Sequence, residues 1–217
     1  GFTTLLPVEA VGLLPFADYL RGLMSALDAT PRWIIGHSAG AALSAQYALD
    51  TETPPAAMLC INAAFNPFGS FAAPIFSKTA KWFARSYWLP KVLASPALRW
   101  RATGSMLADT GSAVDPLMSR CYDTLLGNPD HIAGTLRMMA GWDLPPLLRR
   151  LPALKMPVWL AAAEGDRTIP PERSTSVAQD LPHVRSVRIA DLGHLAHEEE
   201  PEVFDALFRE MVTKTAG

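Results

Sequence analysis

The chain has 217 residues, of which 49% are hydrophobic and 18% charged, and its net charge is −2. That length suits one domain, or a core with one insertion, and is enough to bury a sizeable core. The near-neutral balance gives no global pull toward nucleic acid, and two cysteines, Cys60 and Cys121, form neither a disulfide framework nor a metal-ligand spacing and fit a reducing, intracellular compartment.

In chain order, Pro15 can occupy the first turn of a helix. Its Phe16, Tyr19, Leu20, Leu23, Met24 and Leu27 fall on one face at the 3.6-residue period, and it ends before Pro31. A strand-like run, Trp33-Ile34-Ile35, follows, and an alanine-rich helical run, Ala41 to Leu49, comes after Gly36-His37-Ser38-Ala39-Gly40. In that setting G-x-S-x-G is a nucleophile elbow, a strained strand-to-helix turn that lifts the serine hydroxyl above a sheet edge. Side chains two residues either side of the serine are expected to collide across the turn, hence glycine at both positions. Ser38 is the candidate nucleophile.

Further apolar runs, Ala57 to Ala63, Val158 to Ala163 and Ser186 to Ala190, read as strands buried on both faces. Pro171 to Leu181 reads as a helix between the last two. Pro201 starts another, with Val203, Phe204, Leu207, Phe208 and Met211 inward. Alternating strands and helices imply an α/β protein with a mostly parallel sheet flanked by helices. The exception is residues 66–147, about eighty residues where a short crossover suffices, which predicts an inserted helical cap. The expected organisation is a core of residues 1–65 and 148–217 with a cap of residues 66–147. The uncharged stretch Thr53 to Ser77 is broken by Pro54, Pro55, Asn62, Asn66, Pro67, Gly69 and Pro74, which excludes a membrane-spanning helix.

A serine hydrolase needs a histidine to take the serine proton and a carboxylate to fix the imidazole tautomer. On an elbow-type sheet the order is serine, acid, histidine. The strand Val158 to Ala163 runs into Glu164-Gly165-Asp166, which makes Asp166 the candidate acid with Glu164 as its rival; an Asx-turn ahead of Pro170 is the plainer role for Asp166. The strand Ser186 to Ala190 runs into Asp191-Leu192-Gly193-His194, which makes His194 the candidate base. His197 is its rival, although it heads Glu198-Glu199-Glu200, where charge on an exposed first helical turn is expected. His37 occupies a variable position of the elbow, and His131 and His183 read as surface or core residues. The backbone N–H of Ala39, at a helix N-terminus, is the expected oxyanion donor. No residue of the chain is assigned as the second donor, and neither a metal nor a cofactor is expected.

With these residues placed, the whole chain resembles the α/β-hydrolase superfamily. Within it, several segments are similar to the magnesium-chelatase accessory proteins of bacteriochlorophyll biosynthesis: Gly36 to Ala42, Ile61-Asn62-Ala63-Ala64 with Pro67-Phe68-Gly69, Thr103-Gly104-Ser105, Met138 to Leu144, and Gly193-His194-Leu195-Ala196-His197-Glu198-Glu199. The opening Gly1-Phe2-Thr3 looks like the tail of that family's stretch after the fourth strand, so the N-terminal strands and the upstream oxyanion loop are expected to be missing. The resemblance implies a tetrapyrrole ligand, chelatase subunits as partners, and a cytoplasmic location with peripheral contact at the photosynthetic membrane.

Charge is unevenly placed: residues 66–157 hold eleven Lys/Arg and five Asp (+6), and the remainder eight against sixteen (−8). Lys78, Lys81, Arg85, Lys91, Arg99 and Arg101 interleave with Phe71, Phe76, Trp82, Phe83, Tyr87, Trp88 and Trp100. Such a mixture suits an anionic amphiphile or an anionic membrane surface, and equally an ordinary cap with packed aromatics and solvated lysines. Trp142 and Asp143 either line a pocket or pin the cap.

Overall fold

The computed structural model describes residues 4–7, 10–66 and 86–216, with Trp100 described in its backbone only. The expectations for Gly1-Phe2-Thr3, Pro67-Phe68-Gly69, Phe71, Phe76, Lys78, Lys81, Trp82, Phe83 and Arg85 fall outside these residues.

Four strands, β1 (Trp33–His37), β2 (Ala57–Ile61), β3 (Val158–Ala163) and β4 (Val184–Ile189), form a fully parallel sheet in the order β1-β2-β3-β4. Parallel strands need crossovers, and helices supply them on both faces. β2 and β3 are buried along their whole length, as uninterrupted apolar runs require. β1 and β4 are the edges among the described strands and are only partly covered, with Ile35 50% exposed. The last strand spans Val184–Ile189, a start two residues before the expected Ser186. Arg185 is the reason the pattern misled: its guanidinium stacks on Trp159, 4.2 Å from the ring centroid, and pairs with Glu210, so a charged residue belongs to the strand.

On one face lie α1 (Leu13–Ala26) and α2 (Ala39–Asp50). Ala41, Ala42, Ala45 and Ala48 of α2 are at most 5% exposed, and their small side chains let the helix sit close against β1 and β2. The core there joins them to Leu13, Met58, Phe65 and Leu160. α1 presents Leu13 and Ala17 inward, whereas Tyr19, Leu23 and Leu27 are 61%, 40% and 62% exposed. The 3.6-residue period identified a broad apolar arc, but α2 covers only one edge of it.

Between β2 and β3 the described residues form α3 (Leu89–Leu93), α4 (Pro96–Asp109), α5 (Pro116–Leu126), α6 (Pro129–Ala140) and α7 (Pro145–Arg150). All five have proline at the first or second position, where its missing N–H costs nothing. Asp115 and Asn128 cap α5 and α6 by accepting from the N–H groups of the first turn. α7 straddles residue 147 and places Leu147 in the core beneath α2. Trp142 packs on Phe16 of α1, with ring centroids 6.5 Å apart, and so ties this helical segment to the sheet.

The expected helix over 171–181 is instead a single turn, α8 (Pro171–Ser174), followed by a 3₁₀ turn at Ser176–Asp180. After β4 come α9 (Ala196–Glu199) and α10 (Pro201–Thr215). α10 covers the opposite face of the sheet, where Phe204 and Met211 meet Leu59, Ile61 and Trp159. Val203, expected inward, is 36% exposed, because the helix turns Phe204, Leu207, Phe208 and Met211 toward the sheet and leaves Val203 at the side. Among the described residues no helix is long and apolar enough to cross a membrane.

The two faces of α1 separate in a denaturant titration. Leu13→Ala should destabilise the fold by about 2–5 kcal/mol through lost burial and a residual cavity, whereas Tyr19→Ser should stay within about 0.5 kcal/mol.

Candidate active site

The carboxyl ends of β1, β3 and β4 lie at one rim of the parallel sheet, and the loops leaving them carry Ser38, Asp166 and His194. Ser38 sits between β1 and α2 with φ 52° and ψ −121°. A non-glycine residue in that region costs about 1–3 kcal/mol and persists only when its surroundings hold it. Here Ser38 N–H donates to Ile61 O at 2.9 Å, while Ser38 O accepts from Ala41 and Ala64 at 3.1 Å each. The elbow is thereby tied to the end of β2 as well as to its own helix.

The two elbow glycines are not equivalent. A Cβ on Gly36 would lie 2.6 Å from Gly40 O and 2.7 Å from Ala41 Cα, whereas one on Gly40 would meet nothing within 4 Å among the described residues. The collision expected on both sides exists only on the strand side, because α2 carries position 40 away from the turn.

The imidazole of His194 lies between the other two groups. Nδ1 is 2.7 Å from Asp166 Oδ2, and Nε2 is 3.1 Å from Ser38 Oγ. A carboxylate only accepts, so Nδ1 carries the proton and Nε2 is left to accept from the serine hydroxyl. The Asp166 side chain is fully buried, and that of His194 nearly so. The plainer role for Asp166 is also real: Oδ1 accepts from Thr168 N and Ile169 N at 2.8 Å each. One oxygen shapes the turn, and the other is free to face the imidazole. Glu164, the rival acid, is exposed to solvent. The N–H of Ala39 opens α2 beside Ser38, at the positive end of the helix.

Several residues around this cluster escaped the sequence reading. His37 is not a bystander: its Nε2 donates to His194 O at 2.9 Å, and its ring lies 4.7 Å from His194 and 4.3 Å from His197. Burial, then the neighbouring His197 and His194, depress its pKa to about 4, so at neutral pH it is uncharged. His197 is lowered too, chiefly by burial, and faces His37 rather than Ser38. The acidic run after it is no solvated first turn. Tyr122 of α5 donates to Glu198 at 2.6 Å, and Glu199 accepts from Gly193 N and Ala113 N at 2.8 Å each. Burial and the Glu198 bond push the Tyr122 phenol up, so it remains a donor.

The turn after α4 is woven into the same loops. Thr110 O accepts from His194 N at 2.9 Å and from Arg167 N at 3.3 Å, and Ser112 Oγ accepts from Leu195 N at 2.8 Å. Gly111, Gly165 and Gly193 pack backbone against backbone where these segments meet, and Gly111 has φ 75°. The signal in the sequence was glycine in three separate loops, which becomes legible only once they touch. Cys60 is fully buried, its thiol pushed up to about 12 by burial, which leaves it protonated and unreactive. Among the described residues no cluster of His, Cys, Asp and Glu is arranged to hold a metal ion.

A family model described as alpha/beta hydrolase fold matches residues 7–201. The chain is 41% identical over 188 residues to the magnesium-chelatase 30 kDa subunit of Rhodobacter capsulatus; the match covers 86% of this chain and 65% of that protein's length. It is 21% identical over 198 residues to the 2-hydroxy-6-oxo-6-phenylhexa-2,4-dienoate hydrolase of Burkholderia cepacia, covering 88% of this chain and 66% of that one. In structure it is similar to a thermophilic esterase from Thermogutta terrifontis, with a TM-score of 0.72 at 21% identity, covering 99% of this chain and 76% of that one.

Gly36→Ala should unfold the elbow or leave an insoluble chain, while Gly40→Ala should melt within a few degrees of the parent in a thermal scan. A second expectation concerns acid. The folded state holds His37 neutral down to about pH 4, whereas the unfolded chain takes up that proton near 6.5. Stability is therefore complete above about pH 6.5 and falls as pH drops toward 4, by on the order of 3 kcal/mol at most from this residue. In melts across that window, His37→Gln should flatten the decline.

Proposed function

The chain belongs to the alpha/beta hydrolase fold family, and from that premise we propose that it is a serine hydrolase performing ester-type acyl transfer. The observation that carries this reading is the continuous line from Asp166 through His194 to Ser38, at 2.7 and 3.1 Å. Ser38 Oγ attacks the ester carbonyl carbon while its proton passes to His194 Nε2. The carbonyl π electrons move onto oxygen, and Ala39 N–H donates to that oxyanion. As the tetrahedral species collapses, the alkoxide leaves with the proton from Nε2, and Ser38 is acylated. Water then gives a proton to the same nitrogen and adds to the acyl carbon. The acid departs, and Ser38 regains its hydrogen. Asp166 Oδ2 holds Nδ1–H throughout and stabilises the imidazolium formed in each half.

Similarity to a magnesium-chelatase subunit supports a finer reading: the protein is an accessory to magnesium insertion in bacteriochlorophyll biosynthesis, with a tetrapyrrole ligand and chelatase subunits as partners. In this proposal residues 66–147 form a cap over a core of residues 1–65 and 148–217. Its exposed Tyr87 and Trp88, with Lys91 3.9 Å over the Tyr87 ring, suit a peripheral contact with an anionic bilayer. One fact favours a second, non-catalytic reading as tetrapyrrole carrier or chelatase partner, since the relative at 41% identity is named for a chelatase and not for a hydrolytic reaction. A third reading, a general carboxylesterase or carbon–carbon bond hydrolase, draws on the dienoate hydrolase at 21%.

An alkyl fluorophosphonate separates these readings. The protein should label on Ser38, Ser38→Ala should block labelling, and His194→Ala should slow it by about a thousandfold or more. A folded protein that resists the probe would overturn the hydrolase reading and leave the carrier. In a pigment-forming cell, Ser38→Ala should abolish the accessory effect if acyl transfer is required. Absorbance titration with protoporphyrin tests the ligand class, and no spectral change at micromolar pigment would remove it.

A further inference from the structure

Asn62 is a buried polar residue that the proposed acyl-transfer chemistry does not use. It follows β2, is 1% exposed, and has φ 46°, in the left-handed region that asparagine tolerates better than most side chains. Its Oδ1 accepts from Ala163 N at 2.8 Å, at the end of β3 and three residues before Asp166. Its Nδ2 donates to Gly193 O at 3.1 Å and to His194 O at 2.9 Å. β2 pairs with β1 and β3 but not with β4, so no sheet ladder connects it to the loop after β4. The Asn62 side chain spans that gap and joins the segment before the acid to the segment holding the histidine.

The carbonyl of His194 is held from two directions, by Asn62 Nδ2 and by His37 Nε2, each at 2.9 Å. Two donors use both lone pairs of the oxygen and set the orientation of that peptide plane. With His194 N–H bonded to Thr110 O, the backbone of His194 has both its polar groups engaged. Only an amide of this size offers one acceptor toward β3 and two donors toward the histidine loop. Ionised aspartate cannot donate, and leucine can do neither.

We infer that Asn62 is a positioning residue: it sets the peptide of His194 relative to the Asp166 loop, and thereby the aim of the imidazole at Ser38. The inference rests on the reading that Ser38, His194 and Asp166 act together. A displacement of about 1 Å in such an arrangement is worth about a hundredfold in rate, and the side-chain hydrogen bonds of Asn62 all go to backbone groups.

Two variants test it. Asn62→Gly keeps the left-handed backbone and removes the amide. Asn62→Asp keeps the shape and the acceptor toward Ala163 but turns an oxygen toward the two carbonyls. Each is followed by the rate of fluorophosphonate labelling and by the far-downfield proton resonance of His194 Nδ1–H, assigned by its loss in Asp166→Asn. In both variants labelling should slow by about 10–100-fold, and the resonance should move upfield or broaden away, while the melts stay cooperative. A purely structural role would lower the melting temperature and leave the folded protein's labelling rate and resonance unchanged, and that result overturns the inference. Should Asn62→Gly fail to fold, Asn62→Asp carries both readouts. If the parent resists the probe, the hydrolase reading falls, and the resonance alone still decides whether Asn62 positions His194.

Discussion

His194 Nδ1 and Asp166 Oδ2 lie 2.7 Å apart with the carboxylate wholly out of solvent, and this contact constrains most of what surrounds it. A buried carboxylate must be fully hydrogen-bonded or it is expensive. Asp166 meets that demand with Thr168 and Ile169 on one oxygen and the imidazole on the other. The two loops can meet because β3 and β4 are adjacent and parallel, paired from Val158↔Val184 to Ala163↔Ile189. Parallel register delivers both chain segments to the same rim, and the missing side chain of Gly165 lets its loop close against the backbone of Leu192 and Gly193.

The same rim explains why the helical segment between β2 and β3 is more than an appendage. Thr110 O takes the N–H groups of both His194 and Arg167, and Ser112 takes that of Leu195. Glu199 and Glu198 return the connection by accepting from Ala113 and Tyr122. The loop bearing the histidine is thus held from the sheet side by Asn62 and His37 and from the helical side by the turn after α4. Burial beside two other imidazoles lowers the pKa of His37 to about 4 and keeps its ring uncharged next to His194 at neutral pH.

How far sequence reasoning reached depended on whether a residue's environment was local. β3 spans Val158–Ala163 as its apolar run indicates, and the strained turn at Ser38 lies between β1 and α2, because short buried strands and tight turns leave their mark within a few residues. The 3.6-residue period puts Tyr19, Leu23 and Leu27 on one apolar face, yet all three are exposed, because periodicity defines an apolar arc and not which neighbour covers it. Glu198 and Glu199, in a run where charge on an exposed first helical turn is expected, instead hold α5 and the turn at Ala113. Tyr122 and Ala113 lie more than seventy residues from these two glutamates in the chain.

By itself the sequence determined the alternation of strands and helices, a strained serine turn between a strand and a helix, and the order of Ser38, Asp166 and His194 along the polymer. These are properties of neighbouring residues: hydrophobic period, steric limits on φ and ψ, and the turn chemistry of glycine, proline and aspartate. Only the tertiary structure decided that His194 lies between Asp166 and Ser38, that Gly36 and not Gly40 is sterically required, and that Asn62, His37 and Thr110 enclose the histidine peptide. Hydrogen bonds across 28 to 157 residues of chain have no local signature, since they form only when the sheet has brought its loops to one edge.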